Sequence, residues 1–182
     1  MLLPVTRILG DRDWPGPRAL IGDLVFGAND GLITTFAVVS SVTGADLGSG
    51  VALVLGLANL LADGISMGAG DYLGRRSEAQ ARANHEGGEE AGHWVPGVHG
   101  MVISGSFVSI GLVPLLPYMA LDPMEAFPVA ALFTAVTLFV VGALRTRITG
   151  AGWFSSGLEM LVIGSAAAAV AFGVGWGLRG VV

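Results

Sequence analysis

The 182-residue sequence contains no cysteine and few charged residues, which make up 13% of the chain against about 25% in a typical soluble domain. Without cysteine there is no disulfide framework, no thiolate metal site and no cysteine nucleophile. The nine basic residues are all arginine, and they are scattered along the chain. Together with a net charge of −5, this pattern argues against nucleic acid as a partner.

Apolar residues are abundant instead, at 53% of the chain with a mean hydropathy of +0.72. This composition is typical of a small integral membrane protein. A membrane-spanning helix needs about 20 mainly apolar residues, and the sequence predicts five, at roughly 22–42, 51–71, 99–120, 126–144 and 155–178. We therefore predict an all-α membrane protein, with an N-terminal segment at 1–21, a five-helix transmembrane domain at 22–182 and a cytoplasmic loop at 72–98.

The arginines predict how the helices are oriented. Eight of the nine lie before the first predicted helix, after the second or after the fourth, and these three segments share one side of the membrane. Positive residues near helix ends are retained in the cytoplasm, so we expect a cytoplasmic N-terminus and an outer C-terminus. The fourth helix has no ionisable residue, and we expect it to face lipid.

Five carboxylates interrupt this apolar pattern, and each costs about 2.5–3.5 kcal/mol at bilayer depth. Asp23 and Asp30 are seven residues apart and share one face of the first helix. Asp63, Met67 and Asp71 recur every four residues on the second helix. Asp30 and Asp63 each lie eight residues from the predicted cytoplasmic end, a depth of about 12 Å.

The fifth acid, Glu159, reaches a comparable depth if the last helix begins near Trp153. Carboxylates with a thioether suit Fe²⁺ or Mn²⁺ better than Mg²⁺ or Ca²⁺, which prefer oxygen ligands alone. An arriving metal ion must displace protons from such carboxylates, and that competition is the minimum requirement of a metal–proton exchanger. An imported proton supplies about 2.3 kcal/mol per 100 mV of membrane potential.

Each of these residues also has an ordinary structural explanation, except Asp30, which is deep and flanked by Asn29 and Gly31. Asp23 and Asp71, taken alone, suit helix caps or surface groups near helix ends, and a single methionine such as Met67 usually packs against neighbours. Asp63 and Glu159 could hydrogen-bond a neighbouring helix. Because the acids recur at matching depths, we favour a polar path over five independent structural roles.

Two segments resemble the vacuolar iron transporter family: DLVFGANDGLITT at 23–35 and LADGISMGAGDYL at 61–73. The resemblance extends through all five predicted helices. It implies a five-helix homodimer that exchanges Fe²⁺, and often Mn²⁺, for protons along a path at the two-fold interface. By motif position, Asp23 and Asp30 match the family's path-lining acids and Met67 its metal-binding methionine. Asp71 stands where many relatives have glutamate.

The sequence departs from that family at two places. Many members carry a long glutamate-rich domain after the second helix, whereas the connection here, 75–98, has about two dozen residues. We interpret its acids and histidines as a solvated acidic loop, with weak metal gathering as the alternative. These residues are Glu78, His85, Glu86, Glu89, Glu90, His93 and His99. At Asp63 many relatives have a small residue, so its role rests on spacing.

We therefore expect a secondary transporter rather than an enzyme, located in a bacterial inner membrane. It would export Fe²⁺ and Mn²⁺ in exchange for protons, hold no permanent cofactor and form a homodimer within the lipid bilayer. One alternative is a non-transporting membrane scaffold whose buried acids serve helix packing. Another is a carrier of organic cations, for which Phe26 and Phe36 are the aromatic residues near the acids of the first helix.

Overall fold

The computed structural model describes residues 16–85 and 96–181, and within these ranges the secondary structure is entirely helical. The elements are α1 (Pro17–Gly44), α2 (Ser49–His85), α3 (Pro96–Gly111), a 3₁₀ helix (Val113–Met119), α4 (Pro123–Thr149) and α5 (Trp153–Leu178). Five helical spans are long and apolar enough to cross a membrane, counting α3 and the 3₁₀ helix as one. The five predicted spans are thus confirmed, and the chain is an integral membrane protein.

Helix α2 is much longer than the sequence predicted, since it ends at His85 rather than near residue 71. The prediction followed hydropathy, which falls at Arg75 and Arg76. The segment that begins there, RRSEAQARANH at 75–85, is rich in alanine, arginine, glutamate and glutamine, which are all good helix formers. It contains no glycine or proline. The first part of the predicted 72–98 loop is therefore helical, and it adds about 21 Å to the helix.

Proline and glycine set several of the other boundaries. Pro123 occupies the first turn of α4, and Gly150 ends that helix in the left-handed conformation at φ 69°. After Gly111 the α-helical pattern changes to the 3₁₀ helix that contains Pro114 and Pro117. A proline lacks the amide hydrogen that an α-helix requires, which explains the change.

Helix α1 lies at the centre of the bundle and packs against each of the other helices. Helix α1 approaches α3 so closely that a side chain at Gly27 or Gly31 would overlap the backbone carbonyl of Ile103 or Phe107. Helix α2 packs against the same helix, with Gly68 against Gly100. Helices α1 and α2 therefore both lie on α3, and this arrangement positions the acids of α1 relative to those of α2.

Candidate functional site

Four ionisable side chains from three helices meet near the predicted cytoplasmic ends of α1 and α2. Asp23 belongs to α1, Asp71 and Arg75 to α2, and His99 to α3. The Nε of Arg75 donates a hydrogen bond to Oδ1 of Asp71 at 2.6 Å, and its guanidinium lies 3.6 Å from Oδ1 of Asp23. Nδ1 of His99 lies 2.5 Å from Oδ2 of Asp23. We call these four residues the entrance cluster.

The entrance cluster is largely withdrawn from its surroundings. Asp23 and His99 are buried, with 9% and 4% of their surface exposed, whereas 31% of the Arg75 side chain is exposed. Oδ2 of Asp71 is buried and has no hydrogen-bond partner among the described residues. Since buried carboxylate oxygens are normally paired, this atom is an acceptor that the described residues leave unsatisfied.

The local sequence explains part of this arrangement. Asp71 and Arg75 are four residues apart, so they are neighbours on one side of α2. His99 reaches Asp23 because α1 and α3 pack closely one helical turn further along, where a side chain at Gly27 would overlap the backbone carbonyl of Ile103. The cluster thus depends on one contact within a helix and on tight packing between helices.

Two further acids form a second level deeper in the bundle. Asp30 on α1 and Asp63 on α2 are close enough for their charges to interact, and we call them the inner pair. Nδ2 of Asn59 donates a hydrogen bond to Oδ2 of Asp63 at 2.9 Å. The Thr34 hydroxyl donates to the backbone carbonyl of Asp30 at 2.6 Å. Among the described residues, neither acid of the inner pair forms an ion pair.

Met67 lies between the two levels on α2. It is four residues from Asp63 and four from Asp71, or about 6 Å along the helix axis in each direction. The side chain is partly buried and packs against the core that contains Leu60 and Phe107. Its position thus combines a packing role with a place on the helix face that bears both acids.

Glu159, the remaining predicted site residue, lies elsewhere in the bundle. Its carboxylate is 3.3 Å from the guanidinium of Arg145 on α4, and 53% of the glutamate side chain is exposed. Helix α5 packs against α1 and α4. A metal-binding role for Glu159 stays a prediction, and the recorded contact is an exposed ion pair.

The predicted loop ligands have different outcomes. His99 is a buried member of the entrance cluster, so the solvated-loop interpretation is wrong for it, whereas Glu78 is exposed on α2. The others lie outside the described residues, as does the side chain of His85; they are Glu86, Glu89, Glu90 and His93. The contacts of His99 and Arg75 with the acids of the entrance cluster were not predicted from the sequence. The spacing of Asp71 and Arg75 was a usable signal, but the contact of His99 with Asp23 spans 76 residues.

No three histidine, aspartate or glutamate side chains in the described ranges are grouped closely enough to hold a metal ion between them. The acids are instead arranged as two levels with Met67 between them. The described part of a single chain therefore offers no complete set of metal ligands at either level.

Comparison with known proteins identifies the family. The VIT family model matches residues 21–92 and 81–176, which together cover most of the chain. The chain belongs to the VIT family. It is 29% identical to vacuolar iron transporter 1 of Oryza sativa subsp. japonica, over 85% of this chain and 84% of the relative. It is 25% identical to vacuolar iron transporter 1 of Arabidopsis thaliana, over 84% of each. A vacuolar iron transporter of Toxoplasma gondii is 28% identical, over 84% of this chain and 72% of the relative.

The family model matches this VIT family member in two pieces. The two pieces overlap at 81–92, at the end of α2 and in the connection to α3. In the Oryza alignment, 85% of the 182 residues, about 155, is spread over 211 positions, so about 56 positions face gaps in this chain. Both observations support the interpretation that the connection is shortened.

Proposed function

We propose that this VIT family member is a proton-coupled antiporter that exports Fe²⁺ and Mn²⁺ from the cytoplasm. Its relatives are named as iron transporters. The inner pair is the observation that supports the proposal most directly, because it places two interacting carboxylates on two membrane-spanning helices. A divalent cation would offset both charges, and the nearby thioether of Met67 favours a first-row transition metal.

Proton coupling follows from the same two carboxylates. As anions at bilayer depth they repel each other, and either a bound metal ion or bound protons would relieve that repulsion. A carboxylate must be deprotonated to bind metal, so metal binding releases protons and proton binding releases metal. If the two states open to opposite sides of the membrane, this competition gives exchange.

A homodimer would complete the ligand set. One chain offers two carboxylates and one thioether near the inner level, whereas Mn²⁺ favours an octahedral site. A second copy related by a two-fold axis would double this number. The large apolar side chains of Leu61 and Ile65, which flank Asp63 in sequence, are 53% and 71% exposed. We therefore propose that the α1–α2 side forms the two-fold interface and that the path follows it.

Cysteine cross-linking tests the proposed interface directly, because the chain has no cysteine. Ile65→Cys should form a disulfide-linked dimer on mild oxidation in the membrane. Val136→Cys on α4, where the side chain is 55% exposed, should stay monomeric on a denaturing gel. Equal cross-linking of the two variants would contradict the proposed interface.

The orientation and location belong to the same proposal. The arginine pattern favours a cytoplasmic N-terminus, which places the entrance cluster at the cytoplasmic end of the path. We propose the inner membrane of a bacterium as the location. The relatives are named as vacuolar transporters. In this proposal, transport into a vacuole and export across a bacterial inner membrane both move metal out of the cytoplasm.

Metal uptake by proteoliposomes tests the transport proposal. Purified protein is reconstituted, and Fe²⁺ kept reduced with ascorbate is supplied with or without a pH gradient. We expect gradient-dependent uptake by the unmodified protein, loss of uptake in Asp30→Asn and reduced uptake in Met67→Ala. Asp122→Asn, which alters an exposed acid beyond the inner pair, is the matched control. Unchanged uptake by Asp30→Asn would exclude the proposed path, and uptake independent of the gradient would exclude antiport.

A non-transporting scaffold is the second candidate. The contact between Asp23 and His99, which ties α1 to α3, is the observation in its favour. In that case Asp30→Asn would lower thermal stability in detergent without altering metal uptake or the metal sensitivity of cells that express the protein.

A further inference from the structure

We infer that Arg75 is a tethered counter-cation, which occupies the carboxylates of the entrance cluster until a divalent metal ion displaces it. This inference rests on the proposed function, and it assigns to Arg75 a positioning and selectivity role at the start of the path. It applies to the entrance cluster and not to the inner pair.

The geometry places one positive charge where a metal ion would bind. The Arg75 guanidinium lies 2.6 Å from Oδ1 of Asp71 on its own helix and 3.6 Å from Oδ1 of Asp23 on α1. His99 contacts the other oxygen of Asp23. The oxygen of Asp23 that faces Arg75 is therefore the one left for an incoming ion.

Asp71 provides an independent indication that a cation belongs here. Its Oδ1 accepts the hydrogen bond from Arg75, while its Oδ2 is buried without a partner among the described residues. One guanidinium thus satisfies half of this carboxylate. Once Arg75 has moved away, a metal ion could contact both oxygens of Asp71 and Oδ1 of Asp23, because carboxylates bind metals through one or two oxygens.

Arginine is suited to displacement rather than neutralisation. Its guanidinium stays charged at every accessible pH, so it can leave the carboxylates only by moving. The side chain is 31% exposed, and α2 continues from Arg75 to His85 on the predicted cytoplasmic side. The released guanidinium can therefore turn towards water while remaining attached close to the path.

This arrangement would discriminate between ions by charge. A monovalent ion offers the two carboxylates no more charge than the guanidinium that it would have to replace, and it lacks the guanidinium's forked hydrogen bonds. A divalent ion offers twice the charge. Arg75 would thus weaken binding of every cation at the entrance while leaving divalent ions the better competitors.

Direct binding of Mn²⁺ tests the inference, with the adjacent residue Arg76 as the matched control. Arg76 is exposed, and its replacement changes the net charge by the same amount. In titration calorimetry of the purified full-length protein, Arg75→Gln should bind Mn²⁺ about three- to tenfold more tightly than the unmodified protein. Arg76→Gln should change affinity by less than about twofold, and Arg75→Lys, which keeps the charge, should bind less tightly than Arg75→Gln. Equal effects of Arg75→Gln and Arg76→Gln, or weaker binding by Arg75→Gln, would overturn the inference.

A second measurement uses the unmodified protein and is independent of how the variants fold. Phenylglyoxal modifies accessible arginines, and mass spectrometry separates modification of Arg75 from that of Arg76. We expect Mn²⁺, at the concentration that saturates uptake, to accelerate modification of Arg75 and leave Arg76 unchanged. Binding and uptake of Mn²⁺ without faster modification of Arg75 would refute the counter-cation role of Arg75 but not the proposed function. Absence of both binding and uptake of Mn²⁺ and Fe²⁺ would refute the proposed function with it.

Discussion

The entrance cluster and the inner pair contain the same kind of acid in very different surroundings. Asp23 and Asp71 are held by the guanidinium of Arg75 and by His99. Asp30 and Asp63 face each other's charge, with an amide from Asn59 and no ion pair in the part of the chain that the structure describes. Each acid of the outer level thus has a partner within the protein, while neither acid of the inner level has a positive partner among the described residues.

This difference suggests a division of roles along the proposed path. An entrance whose acids already have partners can exchange the guanidinium for another cation without leaving buried carboxylates unpaired, which is costly. No positively charged side chain among the described residues pairs with the inner pair, so we expect metal ions and protons to bind there. We therefore expect changes at the inner pair to affect turnover, and changes at the entrance cluster to affect apparent affinity and stability.

The largest expected effect separates the two levels by kinetics. Asp63→Asn should lower the maximal rate of Fe²⁺ uptake by about 10- to 100-fold, the range that altered metal sites commonly show. Asp23→Asn should mainly raise the apparent KM. Initial rates across a range of Fe²⁺ concentrations in proteoliposomes provide both parameters. The division of roles would fail if the two variants had the same kinetic defect.

A smaller effect is expected from His99, which supports the entrance cluster from α3. His99→Ala leaves a buried oxygen of Asp23 without its partner, so it should lower the free energy of unfolding by about 1–3 kcal/mol. Thermal unfolding in detergent measures the loss, with Glu78→Ala, at an exposed position of α2, as a control in the same purified background. A stability equal to that of the unmodified protein would show that the contact with Asp23 contributes nothing.

The smallest effect on stability is expected at Glu159. Its partner is Arg145, and both side chains are substantially exposed. Exposed ion pairs contribute about 0–1 kcal/mol, so Glu159→Gln should lower the free energy of unfolding by about 1 kcal/mol or less, as thermal unfolding in detergent would show. A loss of Fe²⁺ uptake comparable to that of Asp63→Asn would assign Glu159 to the path, as the sequence predicts.

Hydropathy predicted most of the fold, because the five apolar stretches correspond to the spanning helices. The extension of α2 to His85 was missed because its last turns are polar, and only their helix propensity signals the continuation.

The candidate site was predictable along each helix but not across helices. Periodicity placed Asp63, Met67 and Asp71 on one face of α2, because residues four apart are neighbours in any helix. The contact of His99 with Asp23 depends on how closely α3 packs against α1 and α2. That distance follows from glycines such as Gly27 and Gly68, whose packing partners do not follow from helical periodicity.

The central claim is that metal and protons compete for the inner pair. The most direct test adds Fe²⁺ to one side of proteoliposomes that hold a pH-sensitive dye and have no initial pH gradient. Inward metal movement should drive protons out of the vesicles, so the interior should become alkaline with the unmodified protein and remain unchanged with Asp30→Asn. Fe²⁺ entry without a change in internal pH, or equal alkalinisation by Asp30→Asn, would contradict the account.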